Sequence, residues 1–368
     1  MKTIYDPLVA DGNPYCSAVV RCIKENGYEV CSLSEWDASK RTRIATVINL
    51  NWFDEIVSRR LLGAIRQLVR KSLLLYRIKR SRSQIVVTIH NILPHDGATG
   101  RDAYFTKILR KKVLHQAAAI VILCDATVDI MIKEHGEKFA NNIKAKIVKI
   151  PHENYAYVLN GVGDIDEREC SNNNVQLLFY GAIRRYKGIE VLLQAASNLA
   201  RTYPNLQIKI IGKCSDSDYA SELESACALQ QNVSFENRFM DDSELVTQIY
   251  ASTGLVFPYD MKSTLNSSSC IMAFTLGRTV ICPQIGTLNE VSRELIYSYT
   301  YASEVEHVQQ LTHAIERFVN DYADNPAIIA NKGKQLQSIV MVDNSHDRVR
   351  ALYQQLYSDL FEKAQLNG

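Results

Sequence analysis

The sequence predicts an α/β protein built from two doubly wound, Rossmann-like domains. Three observations carry that prediction. Short apolar runs alternate with stretches of helical periodicity along the whole chain, as strand, helix, strand units do. At 368 residues and 46% apolar content, the chain exceeds what one ordinary core needs. Its charge is also divided: residues 1–150 hold 25 Lys and Arg against 14 Asp and Glu, and residues 151–368 hold 17 against 26, within a net charge of only +2. The basic half is therefore the face expected to meet something anionic. Domains are expected at 1–157 and 175–345, joined by a polar, Gly- and Asn-rich linker at 158–174, with a last helix at 346–368. Nine cysteines without a CxxC pair predict reduced thiols, and the chain shows neither a signal peptide nor a run of about 18 apolar residues. A cytoplasmic setting is expected.

Lys2 to Tyr5 reads as the first strand, followed by a loop, a helix ended by Gly27, and a second strand from Glu29 to Leu33. Asn13 and Pro14 at the helix entrance read as a cap and a first-turn proline. Ala45 to Asn51 forms the next strand and ends at Trp52, an aromatic able to stack on a sugar or simply to pack. Residues 56–83 carry nine basic residues and no acidic one, interleaved with leucines at helical spacing. Such a helix can lie on anionic lipid, and 107–112 adds a second basic cluster. A nucleic-acid groove is the rival reading and is not favoured. Ile85 to Ile89 is a buried strand with His90 at its carboxyl end, where doubly wound sheets place ligands, and His95 and Asp96 follow closely. Together they form an acid/base constellation. Ala119 to Cys124 then feeds a helix with Asp125 as its expected cap.

In the second half, the strand Val175 to Ile183 releases Arg184 and Lys187 together, a plausible clamp for a diphosphate. Strands and helices alternate as far as Leu255 to Pro258, after which a polar loop leads to Ser267, Ser268 and Ser269. These open a helix, about Ser268 to Leu276, that Gly277 ends before the strand Thr279 to Cys282. A helix N-terminus offers free backbone N–H groups to an anion, although the serines read alone are also an N-cap. Glu290 follows a Gly-rich turn at an expected helix start. Terminal helices are expected near 305–322 and 348–366.

Several of these residues resemble glycosyltransferases of the GT-B fold, two such domains facing a cleft. Gly181, Arg184, Lys187 and Gly188 resemble the G-x-x-R-x-x-K-G of their donor sites, and the stretch from Leu255 to Val291 resembles their nucleotide-sugar half. Many retaining members carry a Glu, seven residues and a second Glu there; this chain has Thr264 and Met272 in those places. A subset that includes bacterial exopolysaccharide β-mannosyltransferases, of the GDP-mannose:glycolipid kind, resembles it better. That subset opens the helix with Ser-Gly-Ser, where this chain has Ser268 for Gly, and reads T-x-H-N-x-x-P-H-E, matched at Thr88, His90, Asn91, Pro94 and His95 with Asp96 for Glu. It also carries NPY, as here at Asn13 to Tyr15, and a His-Trp that is Asn51-Trp52 in this chain.

The resemblance implies a nucleotide-sugar-dependent hexosyltransferase, inverting for want of the Glu pair, that moves a hexose, mannose from GDP-mannose as the best guess, onto a polyprenyl-linked saccharide. Exopolysaccharide, capsule or O-antigen synthesis at the inner face of the cell membrane is the implied setting. Asp96 is the implied general base, supported by His90 and His95. Arg184, Lys187, Tyr259, Ser267, Ser268, Ser269 and Glu290 are the implied donor contacts, and Asn13, Tyr15, Asn51 and Trp52 face the acceptor. No cofactor or metal is expected, and the last helix is expected to pack back on the first domain. A GT-B sugar-nucleotide epimerase and a non-catalytic nucleotide-sugar-binding partner are the alternatives.

Overall fold

The computed structural model describes residues 2–9, 14–38, 47–58, 60–81, 83–91, 100–159 and 174–366. The chain divides into two compact units. The first comprises Met1–Glu153, Lys262–Asn266 and Asn344–Gly368, and the second Asn154–Met261 and Ser267–Asp343. Asn13, Pro14's partner in the expected cap, lies outside the described residues, as do Pro94, His95, Asp96 and most of the expected linker.

In the first unit the order is β1 (Lys2–Asp6), α1 (Tyr15–Glu25), β2 (Glu29–Cys31), α2 (Leu33–Ala38), β3 (Val47–Asn51), α3 (Leu61–Arg80), β4 (Gln84–Ile89), α4 (Gly100–Gln116), β5 (Ala119–Ile122), α5 (Ala126–His135), α6 (Glu137–Ile143) and β6 (Ile147–Lys149). The six described strands form one parallel sheet in the order β2-β1-β3-β4-β5-β6. A parallel sheet covered on both faces needs apolar residues on both, which is why Val47–Asn51 and Gln84–Ile89 read as mostly apolar runs, with Asn49 and Asn51 hydrogen-bonded to β1. Successive side chains point to opposite faces. Ile48, Leu50, Ile85 and Val87 join Leu109 and Val113 of α4 in one core layer. Val47, Val86 and Val121 join Val19 and Ile23 of α1 in the other. The last helix, α14 (His346–Leu366), belongs to this unit and closes the second layer with Tyr353 and Tyr357.

In the second unit the order is α7 (Ala156–Leu159), β7 (Val175–Tyr180), α8 (Ile189–Leu199), β8 (Leu206–Ile211), α9 (Ser217–Ala228), β9 (Val233–Glu236), α10 (Asp242–Tyr250), β10 (Gly254–Val256), α11 (Ser268–Thr275), β11 (Val280–Pro283), β12 (Tyr297–Tyr299), α12 (Glu304–Asp324) and α13 (Pro326–Asp343). Its described strands form a second parallel sheet, β12-β11-β10-β7-β8-β9, around one core. The reversal of direction between β7 and β10 is the switch point at which doubly wound sheets open a crevice.

Four expectations are corrected. The second strand stops at Cys31, and Leu33 instead opens α2. Asp125 stands at the start of α5 but makes no cap bond, because its carboxylate accepts from Lys149 Nζ at 2.8 Å. Residues 286–290 form a single 3-10 turn, so Glu290 ends a turn and starts no helix; the helix-dipole reading is lost with it. Arg110, expected on a basic surface, is 4% exposed and pairs with Asp54 and Glu134 at 2.5 and 3.0 Å.

Candidate functional site

The expected donor residues gather at the carboxyl end of the second sheet. After β7, Arg184 leads a 3-10 turn, Arg185–Lys187, which ends at Gly188 in the left-handed region, φ 70°. A Cβ at Gly188 would lie 2.0 Å from the carbonyl oxygen of Pro258, so only glycine lets this loop sit against the end of β10. The Asp260 N–H donates to the Tyr186 carbonyl at 3.0 Å and joins the same two loops. Lys187 Nζ therefore rests 4.6 Å above the ring of Tyr259. Tyr259 itself is 1% exposed and stacks on Phe257, which makes it the platform beneath Lys187. Burial brings the Lys187 ammonium down to about 8; Cys270 and Cys282 oppose this and Arg184 adds to it.

Ser267 is the N-cap of α11 in the ordinary sense, its hydroxyl accepting from the Cys270 N–H at 3.2 Å. Its own N–H donates to Thr287 Oγ1 at 3.3 Å, and its hydroxyl donates to Tyr259 at 3.3 Å. The cap reading and the anion reading thus divide among the three serines. Ser267 is committed to the fold, while Ser268 and Ser269 supply the first helical turn, whose N–H groups have no intrahelical acceptor. Tyr180 at the end of β7 ties this turn down by donating to the Ser269 carbonyl at 2.9 Å. Thr264 and Met272 are both buried, and neither side chain carries a carboxylate in the places of the Glu pair. A cavity of about 380 Å³ lined by Gln284, Arg293, Tyr299, His313 and Arg317 lies beside β12 and α12 and includes none of these donor residues.

Of the expected acceptor residues, the described ones, Tyr15, Asn51 and Trp52, gather with His90 in the first unit, around the carboxyl ends of β3 and β4. Asn51 Nδ2 donates to the Asp6 carbonyl at 3.2 Å, which turns its Oδ1 toward His90 Nε2 at 3.0 Å. That geometry fixes the proton on Nε2 and puts the lone pair of a neutral His90 ring on Nδ1. Trp52 lies flat on the imidazole, 4.1 Å between centroids, and Tyr15 meets it edge-on at 4.8 Å. Tyr15 is buried and shares a 3.1 Å hydrogen bond with Tyr353 of α14. His152, in this same unit, lies 5.4 Å from Tyr15. The carbonyl of His90 accepts from Asn266 Nδ2 at 2.8 Å. A space of about 10 Å³, room for about one water, is left among Trp52, Asp54, Thr88, His90 and Arg110.

The sequence reading missed the partners that hold this site: Asp6, Tyr353 and Asn266. Nothing local marks them, since 45, 338 and 176 residues separate each from the group it touches.

Two parallel doubly wound units, the second with cations and a helix N-terminus at its switch point, define the GT-B architecture. Solved structures share that fold. Sucrose-phosphate synthase from Thermosynechococcus elongatus superposes with a TM-score of 0.68 at 15% identity, over 98% of this chain and 99% of its own. An α,α-trehalose-phosphate synthase (UDP-forming) from Burkholderia vietnamiensis gives 0.65 at 11%, over 98% of each. Residues 164–336 match the family model described as glycosyl transferases group 1. A GDP-mannose:glycolipid 4-beta-D-mannosyltransferase of Xanthomonas campestris pv. campestris is 22% identical over 264 residues, 71% of this chain and 67% of that protein. A second sequence of the same name is 23% identical over 241 residues, 64% and 61%. The chain thus spans about two thirds of the length of these relatives. The chain thus has the GT-B fold, and just under half of it matches the group 1 glycosyl transferases.

Proposed function

We propose that this enzyme moves a hexose, mannose from GDP-mannose as the first choice, onto a polyprenyl-linked saccharide in bacterial exopolysaccharide, capsule or O-antigen synthesis, with inversion. The observation that carries the reading is the cradle of Arg184, Lys187 and the first turn of α11 at the switch point of the second sheet. These groups neutralise charge that grows on the departing diphosphate, so they lower the barrier as well as bind the donor. The acceptor oxygen attacks the anomeric carbon, the bond to the diphosphate breaks with its electron pair leaving on the diphosphate, and the hydroxyl proton passes to a base. Asp96 takes that proton, with His90 and His95 in support, and no metal acts at the reacting carbon. Buried Thr264 and Met272 in place of the Glu pair favour inversion. Glu290, exposed at the end of its turn, is assigned to a sugar or ribose hydroxyl, and Asn13, Tyr15, Asn51 and Trp52 to the acceptor side. The choice of mannose rests on the two relatives at 22 and 23% identity.

Attachment to the inner face of the cell membrane is supported by α3. Leu62, Ile65, Val69, Leu73 and Tyr76 are exposed on one side of it, with Arg66, Arg70, Arg77 and Arg80 beside them. Lys112 of α4 reaches Ser72 of the same helix at 3.3 Å, and Lys107 and Lys111 are exposed nearby in sequence. No helix among the described residues is long and apolar enough to cross a membrane.

Mass spectrometry of the full chain with GDP-, UDP- and dTDP-sugars and a polyprenyl-linked saccharide tests the reading. A hexose added to the lipid with release of one nucleoside diphosphate is expected. Donor isomerised or bound without transfer would overturn it.

A further inference from the structure

In the first unit three side chains from distant parts of the chain converge beyond the candidate site. Cys22 lies on α1, Glu153 just past β6, and His346 opens α14; separations of 131, 324 and 193 residues mean that no local turn brings them together. Cys22 Sγ is 3.6 Å from Glu153 Oε2 and 3.7 Å from His346 Nδ1, and that nitrogen is 3.1 Å from Glu153 Oε1. All the donor atoms fall within 4.8 Å of one another, and Cys22 and Glu153 are buried. A tetrahedral zinc ion, bonded at about 2.3 Å to sulfur and about 2.0 Å to nitrogen and oxygen, sets ligand-to-ligand edges of about 3.3–3.5 Å. The two Cys22 edges, 3.6 and 3.7 Å, lie just above that range, and the 3.1 Å His346 edge, which runs to the other Glu153 oxygen, lies just below it.

A second observation points the same way. His346 Nε2 lies 2.6 Å from Glu25 Oε2, so a carboxylate orients the ring from behind and turns Nδ1 toward Cys22, Glu153 and, at 3.4 Å, the Arg21 guanidinium. That is how a metal-binding imidazole is usually held. The charges also close: a divalent ion with Arg21, which bonds Glu153 Oε1, balances a Cys22 thiolate and the carboxylates of Glu153 and Glu25. A thiolate with an imidazole selects zinc over magnesium or calcium.

We propose that Cys22, Glu153 and His346 bind a zinc ion, with water completing the tetrahedron. On binding, the Cys22 sulfur exchanges its proton for the metal and the proton leaves to solvent, with no change of oxidation state. The ion fastens the first turn of α14 to α1 and to the end of β6, and it takes no part in sugar transfer.

The test uses the full chain, stripped with a chelator and titrated with Co2+ and then Zn2+. The wild type is expected to develop a thiolate-to-cobalt charge-transfer band that saturates at one equivalent and is erased by zinc. Cys22→Ser should lack the band, His346→Gln should bind at least 100-fold more weakly, and Cys31→Ser, at a half-exposed thiol on β2, should match the wild type. Zinc should raise the melting midpoint of the wild type and leave that of Cys22→Ser where it is. A wild type without the band overturns the proposal whether or not the variants fold, and so does a band of unchanged strength in both Cys22→Ser and His346→Gln.

Discussion

Lys187 gives the donor reading a quantitative test, because its charge should control ligand binding and stability in opposite directions. Burial against Tyr259 and the loop after β10 lowers the ammonium from its ordinary 10.5 to about 8. That difference favours the neutral form by on the order of 3 kcal/mol. A bound diphosphate supplies the missing counter-charge and returns the group toward its ordinary value. Donor affinity should therefore be flat below pH 8 and fall above it, by about tenfold at one pH unit above the midpoint. Stability of the ligand-free protein should move the other way. Between about 8 and 10.5 the unfolded chain still holds a proton that the folded chain has released, so unfolding free energy rises with pH in that window. Titration calorimetry with a nucleoside diphosphate at pH 7, 8 and 9 reads the first effect, and urea unfolding at the same values reads the second. Lys187→Arg keeps its charge and should bind without the slope, which also controls for titration of the ligand. Wild-type affinity unchanged to pH 9, or an equal slope in Lys187→Arg, would refute the assignment of Lys187 to the diphosphate.

Gly188→Ala must hold a Cβ in the left-handed region, costing about 1–2 kcal/mol, and must also push back the Pro258 carbonyl 2.0 Å away; urea unfolding should show at least that loss, together with weakened diphosphate binding. Replacing Asn51 by Leu leaves the Nε2–H of His90 without its 3.0 Å acceptor in a buried setting, a loss of about 1–3 kcal/mol by the same assay. Leu62→Ser with Leu73→Ser, both exposed on α3, should reduce sedimentation with anionic vesicles at least severalfold and leave the melting midpoint in place. Asp96→Asn should abolish transfer while nucleotide binding stays within about twofold of the wild type; full residual transfer would remove Asp96 from the role of base.

The sheets were legible because a parallel strand buried on both faces is mostly apolar, and VINLN and QIVVTI are short, mostly apolar runs of that kind. Helix α13 was not legible, and Gly333 shows why. A glycine in the interior of a helix reads as a breaker. Here a Cβ would lie 1.9 Å from the Gly277 carbonyl, so Gly333 is the residue that lets α13 press against the end of α11. Arg110 misled for a related reason. Charge patterning sees neighbours in sequence, whereas its carboxylates come from Asp54 and Glu134, 56 and 24 residues away. The segment Lys262–Asn266 is a third case. It reads as part of a polar loop of the second domain, yet it belongs to the first unit, with Leu265 1% exposed in that unit's core.

Trp52 shows how the legible and the illegible combine at one residue. Its position after a strand and beside Asn51 could be read, but its backbone could not: φ is 51°, and it is the one non-glycine residue in the left-handed region among those described. That conformation costs about 1–2 kcal/mol. Glycine at this position would remove the cost, and it would also remove the indole that covers His90 at 4.1 Å and 18°. The strained backbone turns the strand end so that the indole lies flat on the imidazole, while Asn51, one residue earlier, holds the Nε2 proton of the same ring. Two consecutive residues thus restrain one histidine, the first through a hydrogen bond in the ring plane and the second through contact across the ring face. The double restraint holds the ring's tautomer together with its position, as the supporting role proposed for His90 in proton transfer requires.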